Sequence, residues 1–384
     1  MNSRPQNQII VVIYGIWENS IMKGVVRVLV VDDSAVARQT ISRIISESNK
    51  AIEVVATAPN GKIALEKMPI PKFKPDVVTM DIMMPEMDGF ETIGHIMDRF
   101  PTPVIIVSAL SHKDIDAALS NSGMTAFESG AVEFVKKPNP QVSSDEKRFK
   151  RELIDKIINL SETNLPQALR GFDFKSFLKE DEMPKPIVTR ETKRTVKGFH
   201  ETLIVIGAST GGPRAVSLIL SKIPPVFPPI IVVQHMPEEM VESWAKRLQS
   251  LYPHLKIKIP SDKEFIEPNR VYIAPGGRHC AVKDGRRFHL HNGPKVNFLR
   301  PAIDVTLISA SEVYRENILG VILTGMGKDG YEGAKRIKAI GGKIFAEHES
   351  TCVIYGMPKV IIEGGLADRV APLHTIPAII LGQN

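Results

Sequence analysis

From residue 25 the chain alternates short β-rich apolar runs with stretches of helical period. Apolar runs at 25–31, 52–56, 76–80, 104–108 and 131–135 are separated by helical patterns such as 35–46, 89–98 and 112–120. Near-continuous apolar strands alternating with helices predict a parallel sheet covered on both faces. A last helix opens at Ser143, where Ser143 and Glu146 have capping-box spacing, and it carries Phe149, Leu153, Ile154, Ile157 and Ile158 on one face. It closes a first domain near residue 160. Residues 161–200 lose this period and bring Pro166, Pro184, Pro186 and many charges, the composition of a linker. A second α/β series then begins, with strand 203–206, helix 214–222 and strand 230–233, and with further apolar runs at 270–274, 319–324 and 343–346. The expected division is an extension over 1–24, a domain over 25–160, a linker over 161–200 and a second domain over 201–384.

A length of 384 residues agrees with two domains. Hydrophobic residues at 43% and charged residues at 24% exclude a disordered, collagen-like or disulfide-stapled chain. Cys280 and Cys352 are too few for a disulfide framework and lack C-x-x-C spacing, so a reducing cytoplasm without structural zinc is the default. The apolar run 9–17 is too short for a membrane span of about 20 residues, and no cleavage site follows it, so neither membrane insertion nor a signal peptide is expected. Met22 is an alternative start that would leave the first 21 residues outside the protein. Of the net charge of +6, the half from residue 201 holds most, with 22 basic against 17 acidic residues. The excess is scattered rather than gathered in one helix or tail, which argues against nucleic acid and suits an acidic protein partner.

In an open parallel sheet, ligands bind beyond the carboxyl ends of the strands. In the first domain those ends carry Asp32 and Asp33, Asp81, Ser108, and Lys136-Lys137-Pro138. Three converging carboxylates repel unless a divalent cation sits among them, and such oxygen donors suit Mg2+. Any one Asp reads better as a cap or loop residue; the full set does not. Asp32-Asp33, Asp81 with Met84-Pro85 and Met87-Asp88-Gly89, Ser108-Ala109 and Lys137-Pro138 resemble the receiver domains of two-component response regulators over residues 26 to about 158. The resemblance implies a flavodoxin-like five-stranded parallel sheet and a phosphoryl acceptor at Asp81. It also implies Mg2+ held by Asp32, Asp33, Asp81 and the carbonyl of Met83, a phosphate-binding Lys137, and a switch pair of Ser108 and Phe134. Lys136 is a neighbour of that lysine and not its match.

In the second domain, Gly207-Ala208-Ser209-Thr210-Gly211-Gly212 lies between a strand and a helix, the setting of a nucleophile elbow. A dinucleotide loop is the rival reading, but it calls for an acid at the end of the next strand, where Gln234-His235 stands instead. His235 is thereby placed beside the serine. Gly325-Met326-Gly327-Lys328-Asp329-Gly330 follows a later strand, and an Asp in such a loop can orient an imidazole. The order Ser, His, Asp differs from that of α/β-hydrolases, which points to another fold with the same chemistry. These segments, with Gln234-His235-Met236-Pro237, Ile273-Ala274-Pro275-Gly276, Arg300-Pro301 and Asp304, resemble the catalytic domain of the chemotaxis protein-glutamate methylesterases, the CheB family, over 202 to about 375.

With the receiver, this matches the family's whole architecture and implies a doubly wound, mostly parallel α/β catalytic domain. The resemblance implies Ser209 as nucleophile, His235 as base then acid, Asp329 as its orienting partner, and Thr210 and Met326 as oxyanion candidates. The implied reaction is hydrolysis of glutamyl γ-methyl esters on methyl-accepting chemotaxis receptors, extending to glutamine deamidation. Mg2+ serves the receiver alone, and the ester chemistry needs no cofactor. A CheA-type histidine kinase is the implied phosphodonor; the resemblance implies that the unphosphorylated receiver partly covers the esterase site and that phosphorylation at Asp81 shifts the domains apart. A DNA-binding output and a non-catalytic adaptor are the alternatives. The first lacks a helix-turn-helix pattern, and the second leaves three triad residue types in loop settings unexplained.

Overall fold

The protein is described by a computed structural model covering residues 24–109, 132–138, 143–161, 201–236 and 238–382. Strands β1 (Val26–Val31), β2 (Ile52–Ala58), β3 (Val77–Met80), β4 (Val104–Ser108) and β5 (Val132–Lys136) form one sheet in the order β2-β1-β3-β4-β5. Every pairing in it is parallel. The central strands β3 and β4 are buried along their whole length, which is why they read as unbroken apolar runs. Helices α1 (Ala35–Ser46), α2 (Gly61–Lys67), α3 (Gly89–Arg99) and α4 (Ser143–Ser161) accompany the sheet. Ser34, Asn60 and Asp88 cap the first three, each side-chain oxygen accepting from an amide of the first turn. Helix α4 buries Phe149, Leu153, Ile154 and Ile157, with Ile158 packed beside them. The helix expected over 112–120 and the linker expected over 161–200 lie outside the described residues, apart from Ser161.

The second sheet has seven strands in the order β14-β13-β12-β6-β7-β9-β8, again all parallel. They are β6 (Leu203–Ala208), β7 (Ile230–Gln234), β8 (Lys256–Lys258), β9 (Arg270–Ile273), β12 (Ile318–Ile322), β13 (Lys343–Glu347) and β14 (Arg369–Ala371). Its helices are α5 (Gly212–Leu220), α6 (Glu238–Leu251), α7 (Ile303–Tyr314), α8 (Tyr331–Ala339), α9 (Met357–Glu363) and α10 (Ile376–Ile380). An antiparallel hairpin, β10 (His279–Lys283) with β11 (Arg287–His291), packs on α7, where Thr306 Oγ1 donates to Cys280 O at 2.7 Å. The apolar pattern does not announce the hairpin or helices α6 and α7. The hairpin brings His279, His289 and His291 onto one face with ring centroids 5.2 Å apart, although their spacing along the chain suggests no cluster. Both cysteines are buried free thiols, and burial pushes Cys280 up to about 12. Among the described residues, no helix is long and apolar enough to cross a membrane.

Strand order decides where chemistry gathers. In the first sheet the chain moves from β1 outward to β2 and returns to β3 on the other side, so a crevice opens between the ends of β1 and β3. In the second, β6 is followed outward by β7, and the chain later returns to β12 on the opposite side of β6. The loops after β6 and β12 therefore diverge over one crevice, with the end of β7 alongside.

Candidate active site

In the first crevice, oxygen atoms of Asp32, Asp33 and Asp81 lie within 4.8 Å of one another, a donor set that fits a hard divalent cation. Asp32 and Asp81 are buried and Asp33 is exposed. Lys137, delivered by β5, sets its Nζ 2.5 Å from Asp81 Oδ2 and 2.8 Å from Asp32 Oδ2. Burial raises the Asp81 carboxyl above its ordinary range, against the lowering effect of Lys137. Burial opposes the charge on Lys137, yet its two carboxylate partners hold its pKa up. Gly89 is required here, because a Cβ would lie 2.1 Å from the Asp81 carbonyl. Ser108 and Phe134 are both buried, and Met83 lies two residues beyond Asp81 with 60% of its surface exposed.

In the second crevice, Ser209 and His235 follow directly on paired residues, Ala208 of β6 and Gln234 of β7, and His235 N donates to Ala208 O at 3.0 Å. Gly212 makes the sharp turn into α5 fit, since a Cβ there would lie 2.0 Å from Gln234 Oε1 and 2.7 Å from Ala208 Cβ. Gln234 in turn braces the elbow, with Nε2 donating to Ser209 O at 2.8 Å and to His235 O at 2.9 Å. The sequence offered Gln234 only as a missing acid; its structural part depends on this close approach. Asp329, on the loop after β12, meets His235 Nε2 through Oδ2 at 2.8 Å. Ser209 Oγ makes no side-chain hydrogen bond among the described residues.

Asp329 is held from all sides. Ile303 N donates to Oδ2 at 2.7 Å, and Asp304 N and Gly330 N each donate to Oδ1 at 3.1 Å. Ile303 and Asp304 open helix α7, whose N-cap Ala302 offers no capping side chain. The Asp329 carboxylate thus caps a helix from another loop and gains the positive end of its dipole. Burial works against the charge, but His235 and these amides hold the Asp329 carboxyl below the usual range.

Backbone hydrogen bonds also separate the oxyanion candidates from their neighbours. The Ser209 amide is used, donating to Thr324 O at 3.0 Å. The amides of Thr210 and Met326 donate to nothing among the described residues, the condition a developing oxyanion needs. A Cβ on Gly325 would lie 2.6 Å from Ser209 Cβ, so the loop bearing Met326 passes directly against the serine. Beneath this loop, Glu347 at the end of β13 accepts from Thr324 N at 2.8 Å, and Thr324 Oγ1 donates to Thr210 O at 2.9 Å. Burial raises Glu347 to about 7, and burial lowers its neighbour Arg214 to about 10. An acid ending an apolar run was the only trace of Glu347 in the sequence.

Residues 204–380 match the family profile described as CheB methylesterase, and residues 28–147 match that of the response regulator receiver domain. A protein-glutamate methylesterase/protein-glutamine glutaminase of Thermotoga maritima is 42% identical over 359 residues, which span 92% of this chain and 97% of the relative. The chain belongs to the CheB methylesterase family. It joins a response-regulator receiver to a methylesterase domain, as the resemblance implied, and the fold is α/β throughout. A relative of the same description from Halalkalibacterium halodurans is 40% identical over 367 residues, spanning 94% of this chain and 99% of the relative. Among solved structures, the Thermotoga maritima CheB methylesterase catalytic domain is 45% identical, with TM-score 0.46, covering 48% of this chain and 98% of that one. The response regulator domain of Thermotoga maritima CheB is 38% identical, with TM-score 0.30, covering 36% of this chain and 98% of that one.

The two halves of this CheB family member touch at the second crevice. Glu133 of β5 accepts a hydrogen bond from Thr210 Oγ1 and pairs with Lys156 of α4 at 2.6 Å. Burial opposes the charge on Glu133, yet Lys156 and Thr210 keep its carboxyl below the usual range. Ile354, beside Thr324, packs against the apolar cluster that contains Ile154 and Ile157. Nothing in the sequence marked Glu133, which sits 77 residues from Thr210.

Proposed function

We propose that the protein is a cytoplasmic, phosphorylation-activated hydrolase of glutamyl γ-methyl esters on methyl-accepting chemotaxis receptors, with glutamine deamidation as a second, slower reaction. Residues 25–160 act as the receiver and 201–384 as the esterase, joined through 161–200. The observation that carries the reading is the His235–Asp329 contact at 2.8 Å, set beside a serine elbow on the adjoining strand. With Nε2 turned to Asp329, Nδ1 is the ring nitrogen left to take the serine proton. Ser209 Oγ attacks the ester carbonyl, and the Thr210 and Met326 amides receive the oxyanion. His235 then passes its proton to the departing methanol, and a water activated by the same ring releases the glutamate. Asp329 keeps its charge throughout and stabilises the imidazolium.

In the receiver, Asp81 takes the phosphoryl group from a CheA-type histidine kinase. Asp32, Asp33, Asp81 and the carbonyl of Met83 would hold Mg2+, which supplies neutralisation of phosphoryl charge. Lys137, already between Asp32 and Asp81, would turn to a phosphoryl oxygen, while Ser108 and Phe134 respond to it. The Glu133–Thr210 contact favours regulation of the esterase by the receiver, because it ties a receiver acid to the residue after the nucleophile.

The test is methanol release from methylated receptor membranes. Wild-type protein should release methanol, faster with a small phosphodonor and Mg2+, and Ser209→Ala should not. Full release by Ser209→Ala would overturn the catalytic assignment, and equal phosphodonor response in Asp81→Asn would remove the receiver from control.

A further inference from the structure

Beside Asp329 lies a second carboxyl that the proposed hydrolysis does not use. Asp304 is 4% exposed, and its Oδ1 accepts from Gly333 N at 2.8 Å, in the first turns of α8. Its own amide donates to Asp329 Oδ1, so the two acids are neighbours in a buried place. Carboxylates so placed repel, and one of them tends to keep a proton. Burial, with the charge of Asp329 adding to it, raises Asp304 to about 6. The two carboxyl groups share a hydrogen bond, and one uncharged donor touches both. Asn297 Nδ2 lies 3.0 Å from Asp304 Oδ2 and 3.2 Å from Asp329 Oδ1, and its two hydrogens can serve both oxygens together.

The backbone presents Asn297 in a particular way. Val296 and Leu299 exchange hydrogen bonds of 2.9 and 3.2 Å around a two-residue turn, with φ of 52° at Asn297 and 64° at Phe298. Positive φ at both central positions is the type I′ arrangement, which Asn accepts and a bulky aromatic does not. Phe298 is 88% exposed, so packing of its ring does not offset that strain. Strained turns persist where surrounding contacts over-determine them. Here the contacts are those of the Asn297 carboxamide with the two acids.

We propose that Asn297 is a positioning residue for the esterase, acting through Asp329: its carboxamide bridges the Asp304 and Asp329 carboxyl groups and holds Asp329 Oδ1, leaving Oδ2 aimed at His235. The inference rests on the Ser209–His235–Asp329 reading. Asn297 touches neither the serine nor the substrate in this role, so its loss acts on turnover and not on receptor binding.

The test uses full-length protein activated by phosphodonor and Mg2+, with methanol release from methylated receptor membranes followed at pH 6, 7 and 8. Asn297→Ala is expected to lower kcat by about 10- to 100-fold, the scale of a misplaced catalytic group, with KM unchanged and a factor that varies less with pH than that of Asn297→Asp. Asn297→Asp carries a third carboxyl into the cluster. Ionised, it repels both neighbours; protonated, it regains one donor hydrogen. Its deficit relative to wild type should therefore shrink severalfold from pH 8 to pH 6. A wild-type kcat in Asn297→Ala, an effect confined to KM, or Ala and Asp deficits that run parallel across pH would each overturn the proposal. If Asn297→Ala fails to fold, the pH course of Asn297→Asp decides. Ser209→Ala in the same assay separates the two levels: its retained activity sinks the triad reading, whereas a dead Ser209→Ala beside a fully active Asn297→Ala sinks this inference alone.

Discussion

Replacing Glu347 by Gln should flatten part of the pH dependence of stability. Glu347 is wholly buried, and its ordinary value of 4.5 rises to about 7, chiefly by burial and against the Thr324 amide and Arg214. Between those pH values the folded protein keeps a proton that the unfolded chain has released, so stability falls as pH rises through this window. The slope is at most about 1.4 kcal/mol per pH unit, which amounts to about 3 kcal/mol across the window. Gln keeps the shape and the acceptor for Thr324 N but has no proton to lose. The two proteins should therefore be of similar stability relative to one another at pH 5, with the variant gaining about 3 kcal/mol on wild type by pH 8. Urea unfolding followed by Trp244 fluorescence, in a Trp17→Phe background, measures this for the catalytic half, where Trp244 is fully buried. Parallel stability profiles for the two proteins would refute the argument, because they would mean that Glu347 takes up no proton on folding.

Other expectations follow from single contacts. Asp329→Asn keeps the shape that caps α7 but removes the charge facing His235, so kcat for methanol release should fall about 1,000- to 10,000-fold in steady-state assays; a loss under tenfold would deny the residue its orienting part. Gly212→Ala drives a methyl into Gln234 Oε1 and Ala208 Cβ, which should disturb the Ser209 elbow and cut kcat about 100-fold, checked with the same assay beside a circular dichroism control. Glu133→Ala deletes the acceptor of the Thr210 hydroxyl. A hydrogen bond to a charged group contributes about 1.5–3 kcal/mol, so methanol release without phosphodonor should rise about tenfold or more. An unchanged basal rate would show that the contact does not restrain the enzyme.

Much of the architecture is legible in the order of residues alone. Buried parallel strands must be apolar on both faces, so β1, β3, β4, β6 and β7 stand out as short runs, and Ser34, Asn60 and Asp88 mark helix starts through local hydrogen bonds. The chemistry at strand ends is equally legible. Asp32, Asp81, Ser209 and His235 sit directly after strands, with Asp33 next to Asp32 and Asp329 on the loop after β12, and a parallel sheet sends all such ends to one edge. The hairpin β10–β11 escapes this pattern because it is antiparallel, belongs to neither parallel sheet, and alternates buried with half-buried positions along β11 instead of forming an apolar run.

What the sequence by itself determined is thus the inventory: two parallel sheets, a carboxylate cluster with its lysine, and the three residue types of a candidate nucleophilic site, all written in local periodicity and in short motifs. What only the tertiary structure decided is which partners hold those groups in place. Asn297 reaches Asp329 over 32 residues, Thr324 reaches Glu347 over 23, and Thr210 reaches Glu133 over 77. None of these pairings leaves a spacing to read, because each depends on strand order and on how loops converge over a crevice. The same physics explains both outcomes: periodicity records burial along one element, whereas a hydrogen bond between elements exists only after the sheets have brought distant segments together.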